Sequence, residues 1–269
     1  MSRIRIGAVS YLNTKPLVEG LNALPERYEL VFDLPGRLAD SLEKGDLDVA
    51  LIPCIEAVNQ DYTIVSDACI ACSGPVWSVK LMSRVAPPDI RTLALDEGSR
   101  TSRILTRILL ARKHGVHPEC RSLAINEDWR ECEADAALII GDRAMSASDT
   151  RFPFEYDLGE AWNLWTGMPF VFAFWAARNK PGNGAMLSEL DEVLSAARDR
   201  GLQVLERLAT ENCSSYGLSR EQCYDYLSNK LDFTLTGSGK EALAKYYQLA
   251  AELDLVPESS SLQFHAAAC

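Results

Sequence analysis

The sequence predicts an α/β protein of two lobes with a ligand cleft between them. Strand and helix patterns alternate from the N-terminus, the alternation stops at a segment rich in turn-forming residues and then resumes, and everything after Ala185 is typical of helices. Alternation of this kind indicates an α/β fold with right-handed crossovers. Because the pattern leaves one lobe and returns to it, we expect two chain crossings that form a hinge.

The first lobe begins with three strands. "RIRIGAVS" predicts a strand, and "TKPLVEGL" predicts a helix with Asn13 or Thr14 as its N-cap and Pro16 in its first turn. "YELVFDLP" predicts the next strand, and "GRLADSLEKG" an amphipathic helix. The run "LDVALIP" is apolar at most positions, which favours a strand of a parallel sheet that is covered on both faces.

A second α/β series follows the break "RVAPPDIR". Its predicted elements are the strand "TLALDE", the helix "SRILTRILLARKHG", and the strands "AALIIGD" and "FVFAFWAAR". We predict that residues 1–85 and 180–269 form the first lobe, with the C-terminal helices packed on it. Residues 86–179 are predicted to form the second lobe.

Composition and charge argue against several classes of partner. The 269 residues carry a formal net charge of −11, and the sequence pI is about 4.8. Nucleic acids and anionic membrane surfaces bind basic faces, so neither is an expected partner. No run approaches the roughly 20 apolar residues of a membrane helix, and the N-terminus does not resemble a signal peptide. We therefore expect a cytoplasmic protein, either a monomer or a homodimer.

The sequence does not predict a metal or an organic cofactor. Cys69 and Cys72 form a close pair without a second ligand pair, which favours buried reduced thiols. His114 and His117 follow the end of a predicted helix, and His265 lies in the tail, so a histidine-based triad or metal site is not expected. Neither a P-loop nor a Rossmann glycine pattern is present.

Polar side chains concentrate at the end of the first strand. Ser10, Tyr11, Asn13 and Thr14 follow one another where a single helix cap would need only one polar residue. Ligands of parallel sheets bind at the carboxyl ends of the strands. We therefore expect this cluster to form one wall of the cleft.

A second cluster precedes the helix "SRILTRILLARKHG". Gly98, Ser99, Arg100, Thr101 and Ser102 combine free backbone N–H groups with hydroxyl groups at a helix N-terminus. Such a terminus binds anions, and the helix dipole adds to the attraction. An ordinary cap would again need only one residue, so we predict a carboxylate or phosphate site.

Three other places are candidates with a plain structural alternative. Ser78 lies in "SGPVWSV", where Gly-Pro is also typical of a turn. Gly141 and Asp142 end the strand "AALIIGD", where a lone carboxylate is as often a helix cap as a base. Thr166 and Gly167 interrupt an aromatic segment that could equally be core. From its residues alone, the chain is predicted to bind a small anion.

Four segments together resemble one family in order and spacing: "VSYLNTKPL", "DEGSRTSRILTRILL", "IIGDRAM" and "DLGEAWNLWTGMPFVFAFW". The family is chorismate dehydratase of the futalosine route to menaquinone. The resemblance implies a type II periplasmic-binding-protein-like fold. It also implies the removal of water from chorismate to give 3-[(1-carboxyvinyl)oxy]benzoate, without a metal or organic cofactor.

The resemblance also implies roles for the polar residues. Ser99, Thr101 and Ser102 would bind one carboxylate of the dianionic substrate. Asn13, with Ser78 facing it, would hydrogen-bond the departing hydroxyl or orient the enolpyruvyl group, so these two are the predicted catalytic residues. Because the strongest of the matching motifs contain no histidine and no obvious carboxylate base, we expect the enolpyruvyl carboxylate of the substrate to take the proton.

Two alternatives remain open at this point. An enzyme like 1,4-dihydroxy-6-naphthoate synthase would share the fold, but we would expect a histidine in its cleft, and the histidines here are poorly placed for that. A non-catalytic protein that binds a small anion is the other alternative. The absence of a recognisable signal peptide argues against a role in transport.

Overall fold

Two mixed β-sheets form the centres of two lobes. The structure is a computed structural model that describes residues 3–23, 25–58, 61–257 and 262–265. The sheet of the first lobe contains β1 (Ile4–Val9), β2 (Tyr28–Asp33), β3 (Val49–Pro53), β4 (Tyr62–Cys72), β10 (Phe170–Arg178), β11 (Asp232–Thr234) and β12 (Gln263–Phe264). The sheet of the second lobe contains β5 (Val79–Ser83), β6 (Thr92–Asp96), β7 (Glu119–Leu123), β8 (Ala136–Ile140) and β9 (Phe154–Asp157).

Helices cover both sheets. The α-helices are α1 (Pro35–Lys44), α2 (Arg100–His114), α3 (Asp142–Met145), α4 (Leu158–Thr166), α5 (Gly184–Gln203), α6 (Leu205–Asn212), α7 (Arg220–Asp225) and α8 (Gly237–Ala251). Short 3-10 helices span Leu12–Val18, Leu21–Ala23, Cys54–Val58, Pro87–Asp89, Trp129–Glu131 and Cys213–Tyr216, and a π-helical turn spans Tyr226–Lys230. Within the described ranges, no helix is long and apolar enough to cross a membrane.

Both sheets combine parallel and antiparallel strands. In the first sheet the order is β11-β4-β10-β3-β1-β2, and β12 pairs with β4. The neighbours β1, β2 and β3 are parallel, whereas β10 runs antiparallel to β3 and β4. In the second sheet, of order β7-β6-β8-β5-β9, the strands β6, β7 and β8 are parallel and β5 is antiparallel. Every residue of β3 is buried, as its apolar run predicts.

The chain passes from one sheet to the other at residues that differ from the predicted lobe boundaries. Strand β5 pairs in the second sheet, although it falls within the predicted first-lobe range 1–85. Strand β10 pairs in the first sheet, although it falls within the predicted range 86–179. Apolar patterning shows that a strand is buried but does not show which sheet it joins. The chain crosses between the sheets from β4 to β5 and from β9 to β10.

The first helix differs from its prediction because of Pro16. The segment Leu12–Val18 is a 3-10 helix, in which the N–H of Thr14 donates to the carbonyl oxygen of Tyr11, 3.2 Å away. Proline lacks the N–H that an α-helix needs and crowds the preceding turn. The helix therefore begins at Leu12, so neither Asn13 nor Thr14 is its N-cap.

Helix α5, the first helix after β10, packs on β4 and on the 3-10 helix Leu12–Val18. At the closest point, a Cβ atom placed on Gly201 would lie 2.0 Å from the carbonyl oxygen of Pro16. Only glycine lets the two backbones approach this closely. The position of the 3-10 helix, and of the polar residues at its start, therefore depends on α5.

We expect Gly201→Ala to lower the free energy of unfolding by about 1–3 kcal/mol, because the methyl group overlaps the backbone of Pro16. Gly184→Ala is the matched control, since Gly184 lies in the same helix and a Cβ atom there meets open space. Urea unfolding of the two variants and the wild type measures the effect. Equal midpoints for Gly201→Ala and the wild type would contradict the packing described above.

Candidate active site

A cleft lies between the two sheets. It follows the carboxyl ends of β1, β3, β6 and β8, where ligands of parallel sheets bind. Seven of the predicted site residues line it: Tyr11, Asn13, Ser78, Ser99, Thr101, Ser102 and Gly141. The remaining lining is largely apolar. The sequence therefore predicts the wall of the cleft at four separate places in the chain.

Five predicted site residues do not line the cleft. They are Ser10, Arg100, Asp142, Thr166 and Gly167. Ser10 is exposed, and its N–H donates to the carbonyl oxygen of Asp33, 3.2 Å away. Its position is explained by the pairing of β1 with β2, which this bond continues beyond the last paired residues.

Thr166 and Gly167 end α4. The hydroxyl of Thr166 donates to the carbonyl oxygen of Trp162, 2.9 Å away, and accepts from the N–H of Met168 at 3.1 Å. Gly167 has a φ of 71°, the left-handed conformation that glycine favours at a helix C-terminus. The polar break in this aromatic segment is therefore a helix stop, and the aromatic residue Trp162 is core.

Arg100 joins the lobes instead of facing the cleft. From the first residue of α2, its guanidinium group forms ion pairs with Asp40 of α1, at 2.7 Å, and with Glu56 in the 3-10 helix Cys54–Val58, at 3.1 Å. Burial raises the pKa of Glu56, and the charge of Arg100 opposes that effect. Two carboxylates from the first lobe thus neutralise a charge that the sequence assigns to substrate binding.

Asp142 lies beside the cleft. Its Oδ1 accepts a hydrogen bond from the backbone N–H of Leu12, 3.4 Å away, which connects the second lobe to the start of the 3-10 helix. Burial raises the pKa of Asp142 to about 6, while the N–H of Leu12 and the charge of Lys15 favour the ionised form. Asp142 therefore holds the wall that carries Asn13.

Tyr11 fills the space left by two glycines. A Cβ atom at Gly141 would lie 3.0 Å from its ring, and one at Gly98 would lie 3.7 Å from its hydroxyl oxygen. Burial raises the pKa of Tyr11 above its usual range, and the charges of Asp96 and Asp142 add to the shift. The phenol is therefore neutral at physiological pH and can donate a hydrogen bond into the cleft.

A buried ion pair supports this part of the second lobe. Asp96 is fully buried, accepts the N–H of Gly98 at 2.9 Å, and pairs with the guanidinium group of Arg143. The same guanidinium donates to the carbonyl oxygen of Ile125, 3.0 Å away. The pair fixes the loop before α2 relative to α3, which sets the distance between the glycines that receive Tyr11.

The hydroxyl groups at the start of α2 have different partners. Ser99 is the N-cap, and its Oγ accepts the N–H of Ser102 at 3.3 Å. Thr101 donates to the carbonyl oxygen of Phe172 in β10, 3.2 Å away, so this hydroxyl connects the lobes. Ser102 is buried and lines the cleft. The helix terminus therefore faces the cleft as predicted, but Thr101 also has a structural role.

Ser78 is held by an anchored crossing segment. Trp77, just before it, has a φ of 65°, which is strained for a residue with a Cβ atom. The carboxylate of Asp157 accepts the N–H groups of Val76 and Trp77 at 2.9 and 2.6 Å, and it also caps α4. These bonds hold the strained turn and place the buried Ser78 at the cleft.

Sequence reasoning missed Tyr226. This side chain is fully buried, and its hydroxyl donates to Oγ of Ser78, 2.9 Å away. The side chain of Asn13 also lies beside this hydroxyl: burial raises the pKa of Tyr226, and Ser78 and Asn13 oppose that effect. Tyr226 begins the π-helical turn, within a segment whose pattern predicts an ordinary helix. A tyrosine on the apolar face of such a helix is indistinguishable from core in the sequence, so no signal singles it out.

Cys69 and Cys72 are buried and unpaired in β4, which confirms the prediction of free thiols. No group of three or more histidine, cysteine, aspartate or glutamate side chains that could hold a metal ion occurs in the part of the chain that the structure describes. No histidine lines the cleft in those same ranges.

Comparisons with solved structures confirm the predicted two-lobed periplasmic-binding-protein-like fold. Protein AF1704 from Archaeoglobus fulgidus superimposes with a TM-score of 0.75 at 15% identity, covering 94% of this chain and 98% of that protein. The periplasmic aliphatic sulphonate binding protein SsuA from Escherichia coli superimposes with a TM-score of 0.66 at 17% identity, covering 97% and 91%. At these identities the similarity is one of fold.

Comparisons of sequence identify the family, whereas the comparisons of structure identify only the fold. Chorismate dehydratase from Thermus thermophilus is 28% identical over 246 residues, which cover 83% of this chain and 87% of that enzyme. A family model described as menaquinone biosynthesis matches residues 4–252. That span includes every residue that lines the cleft and all strands except β12. The chain therefore belongs to the menaquinone biosynthesis family.

Proposed function

We propose that this protein is a chorismate dehydratase, a carbon–oxygen lyase that converts chorismate to 3-[(1-carboxyvinyl)oxy]benzoate. The observation that carries the proposal is a cleft whose described polar side chains, Asn13 and Ser78 among them, are uncharged donors, with the buried Tyr226 donating to Ser78 from behind the wall. The similarity to the dehydratase of Thermus thermophilus supports it. The histidine-dependent alternative loses support because no histidine lines the described cleft.

The chemistry requires orientation more than strong acids or bases. The reaction breaks the C–H bond at the ring carbon that carries the ether and the C–O bond of the neighbouring hydroxyl, and it leaves an aromatic ring and water. Aromaticity supplies the driving force. The protein must therefore hold two carboxylates in place and donate hydrogen bonds to the departing oxygen.

The residues of the cleft can be assigned to these tasks. The N-terminus of α2, with Ser99 and Ser102, would bind one carboxylate, because its N–H groups and dipole favour an anion. Asn13 and Ser78 would donate to the departing hydroxyl, and Tyr11 would donate a further hydrogen bond to the substrate. Each of these groups is neutral, so the charge of the substrate is met by dipoles.

The proton acceptor would be the enolpyruvyl carboxylate of the substrate. No carboxylate, histidine or lysine lines the cleft in the described residues, and burial keeps Tyr11 protonated. A carboxylate carried by the substrate, near the C–H bond in its own molecule, gains from proximity without any protein base. Asp142, which lies beside the cleft, is the protein group that tests this assignment.

We expect the purified protein to convert chorismate to a product lighter by one water, identified by liquid chromatography and mass. Asn13→Ala should lower kcat by about 10²–10³-fold, as removal of a donor to developing charge does in other enzymes. Asn126→Ala, on an exposed loop, is the matched control and should leave turnover unchanged. Unchanged chorismate with folded wild-type protein would favour a binding protein instead.

We expect Asp142→Asn to retain kcat within about tenfold of the wild type, because the variant keeps an acceptor for the N–H of Leu12 and the reaction needs no protein base. Initial rates at saturating chorismate measure this. A loss of several orders of magnitude, with chorismate binding and the unfolding midpoint preserved, would identify Asp142 as the base and exclude the substrate carboxylate.

The raised pKa of Asp142 also predicts a pH dependence of stability. Because the folded protein binds this proton more tightly than the unfolded chain, the stabilisation is complete below the ordinary pKa of 3.8 and is lost as pH rises through about 6. Relative to the wild type, Asp142→Asn should therefore become progressively more stable as the pH is raised across that interval. Urea unfolding at several pH values measures the difference.

Asp149→Asn is the control for this titration. The pairing with Arg151 lowers the pKa of Asp149 to about 2, so that carboxyl group stays ionised throughout the interval in which Asp142 titrates. Its stability difference from the wild type should stay nearly constant above about pH 5, and toward pH 3.8, where the unfolded chain begins to bind the proton, it should change in the opposite direction to that of Asp142→Asn. A constant difference for Asp142→Asn as well would show that Asp142 has an ordinary pKa in the folded protein.

A further inference from the structure

Tyr226 connects the two residues to which the proposed reaction assigns the donor roles, yet it does not line the cleft itself. Its hydroxyl donates to Oγ of Ser78 at 2.9 Å and contacts the side chain of Asn13. The three side chains come from the π-helical turn, the crossing between the sheets, and the first 3-10 helix. A single buried hydroxyl therefore joins three parts of the chain behind the wall of the cleft.

The direction of these hydrogen bonds follows from the number of protons available. A phenol carries one proton, and Tyr226 donates it to Ser78. Asn13, which lies beside the phenol, can therefore interact favourably with its oxygen only through the carboxamide N–H. The other end of that carboxamide agrees, since Oδ1 of Asn13 accepts from the hydroxyl of Thr14 at 3.4 Å.

The chain of donors ends at Ser78. Its Oγ accepts from Tyr226 and has no other hydrogen-bond partner among the residues that the structure describes, so its own proton is free to point into the cleft. Burial raises the pKa of Tyr226 above its usual range, which keeps the phenol protonated and the direction of donation fixed. Hydrogen bonds in such a chain also polarise one another.

We infer that Tyr226 is a positioning residue that holds the hydroxyl of Ser78 as a donor toward the substrate. The inference rests on the proposed function, because it assigns a partner to a residue of that reaction. Without the phenol, the Ser78 hydroxyl would rotate freely between donor and acceptor orientations. Removal of the Tyr226 hydroxyl should therefore lower turnover more than it weakens substrate binding.

A double-mutant cycle tests this inference. Tyr226→Phe should lower kcat about tenfold, the effect of one well-placed hydrogen bond, while KM changes by less than about threefold. In a Ser78→Ala background, where no hydroxyl remains to be oriented, the same substitution should change kcat by less than about twofold. A merely structural role for Tyr226 would give the same loss in both backgrounds.

Tyr28→Phe controls for the loss of a buried phenol. Tyr28 is also buried, and its hydroxyl donates to Glu189 at 2.7 Å, on a strand at the edge of the first sheet. The kcat of the Tyr28→Phe variant should equal that of the wild type.

Three possible results distinguish a failure of the Tyr226 inference from a failure of the proposed function. Additive losses in the cycle would overturn the role of Tyr226 and leave the proposed function standing. A Tyr226→Phe variant with wild-type kcat would overturn that role as well. A wild-type protein that leaves chorismate unchanged would overturn the proposed function together with the inference.

Discussion

The first turn of α2 holds the two lobes together, and the geometry of the cleft depends on it. Arg100 binds two carboxylates of the first lobe, and the next residue, Thr101, donates to a carbonyl oxygen of β10. Ser99 and Ser102, which flank these two residues, line the cleft. One helical turn thus connects the lobes and also forms part of the cleft wall. An anion bound at this terminus would touch groups that are already fixed relative to both sheets.

The chain as a whole is acidic, but the side chains that line the described cleft are uncharged. A protein with a net charge of −11 repels an anionic ligand at long range, so the ligand must be bound by groups that act at short range. The polar lining consists of hydroxyl, carboxamide and backbone N–H groups. Two cations close to the lining residues are engaged elsewhere, since Arg100 is paired with the first lobe and Arg143 with Asp96. Preorganised dipoles bind an anion without the desolvation cost of a buried cation.

Much of this arrangement follows from the sequence, because strand ends and helix starts leave local signals. Asn13, Ser78 and the start of α2 lie at the cleft, and β1, β3 and β6 fall within the predicted strands "RIRIGAVS", "LDVALIP" and "TLALDE". The sequence contains no signal for side-chain contacts between residues that lie far apart in the chain. Arg100 is neutralised by residues about 44 and 60 positions away in the chain, and Tyr226 meets Ser78 across 148 positions. Neither relation has a local pattern, and the same holds for the sheet that β5 joins.

The absence of a charged group in the described cleft bears on where the proton goes. A protein base in such a neutral site would need its own compensating partners, whereas the buried carboxylates of the structure stabilise the framework. Asp96 holds Arg143, and Asp157 holds the crossing before Ser78. A substrate that brings its own carboxylate needs only to be oriented, and hydrogen-bond donors are sufficient for that. In the proposed mechanism, the framework carboxylates and the neutral cleft would have complementary roles: the protein would fix the hydrogen-bond donors, and the substrate would supply the base.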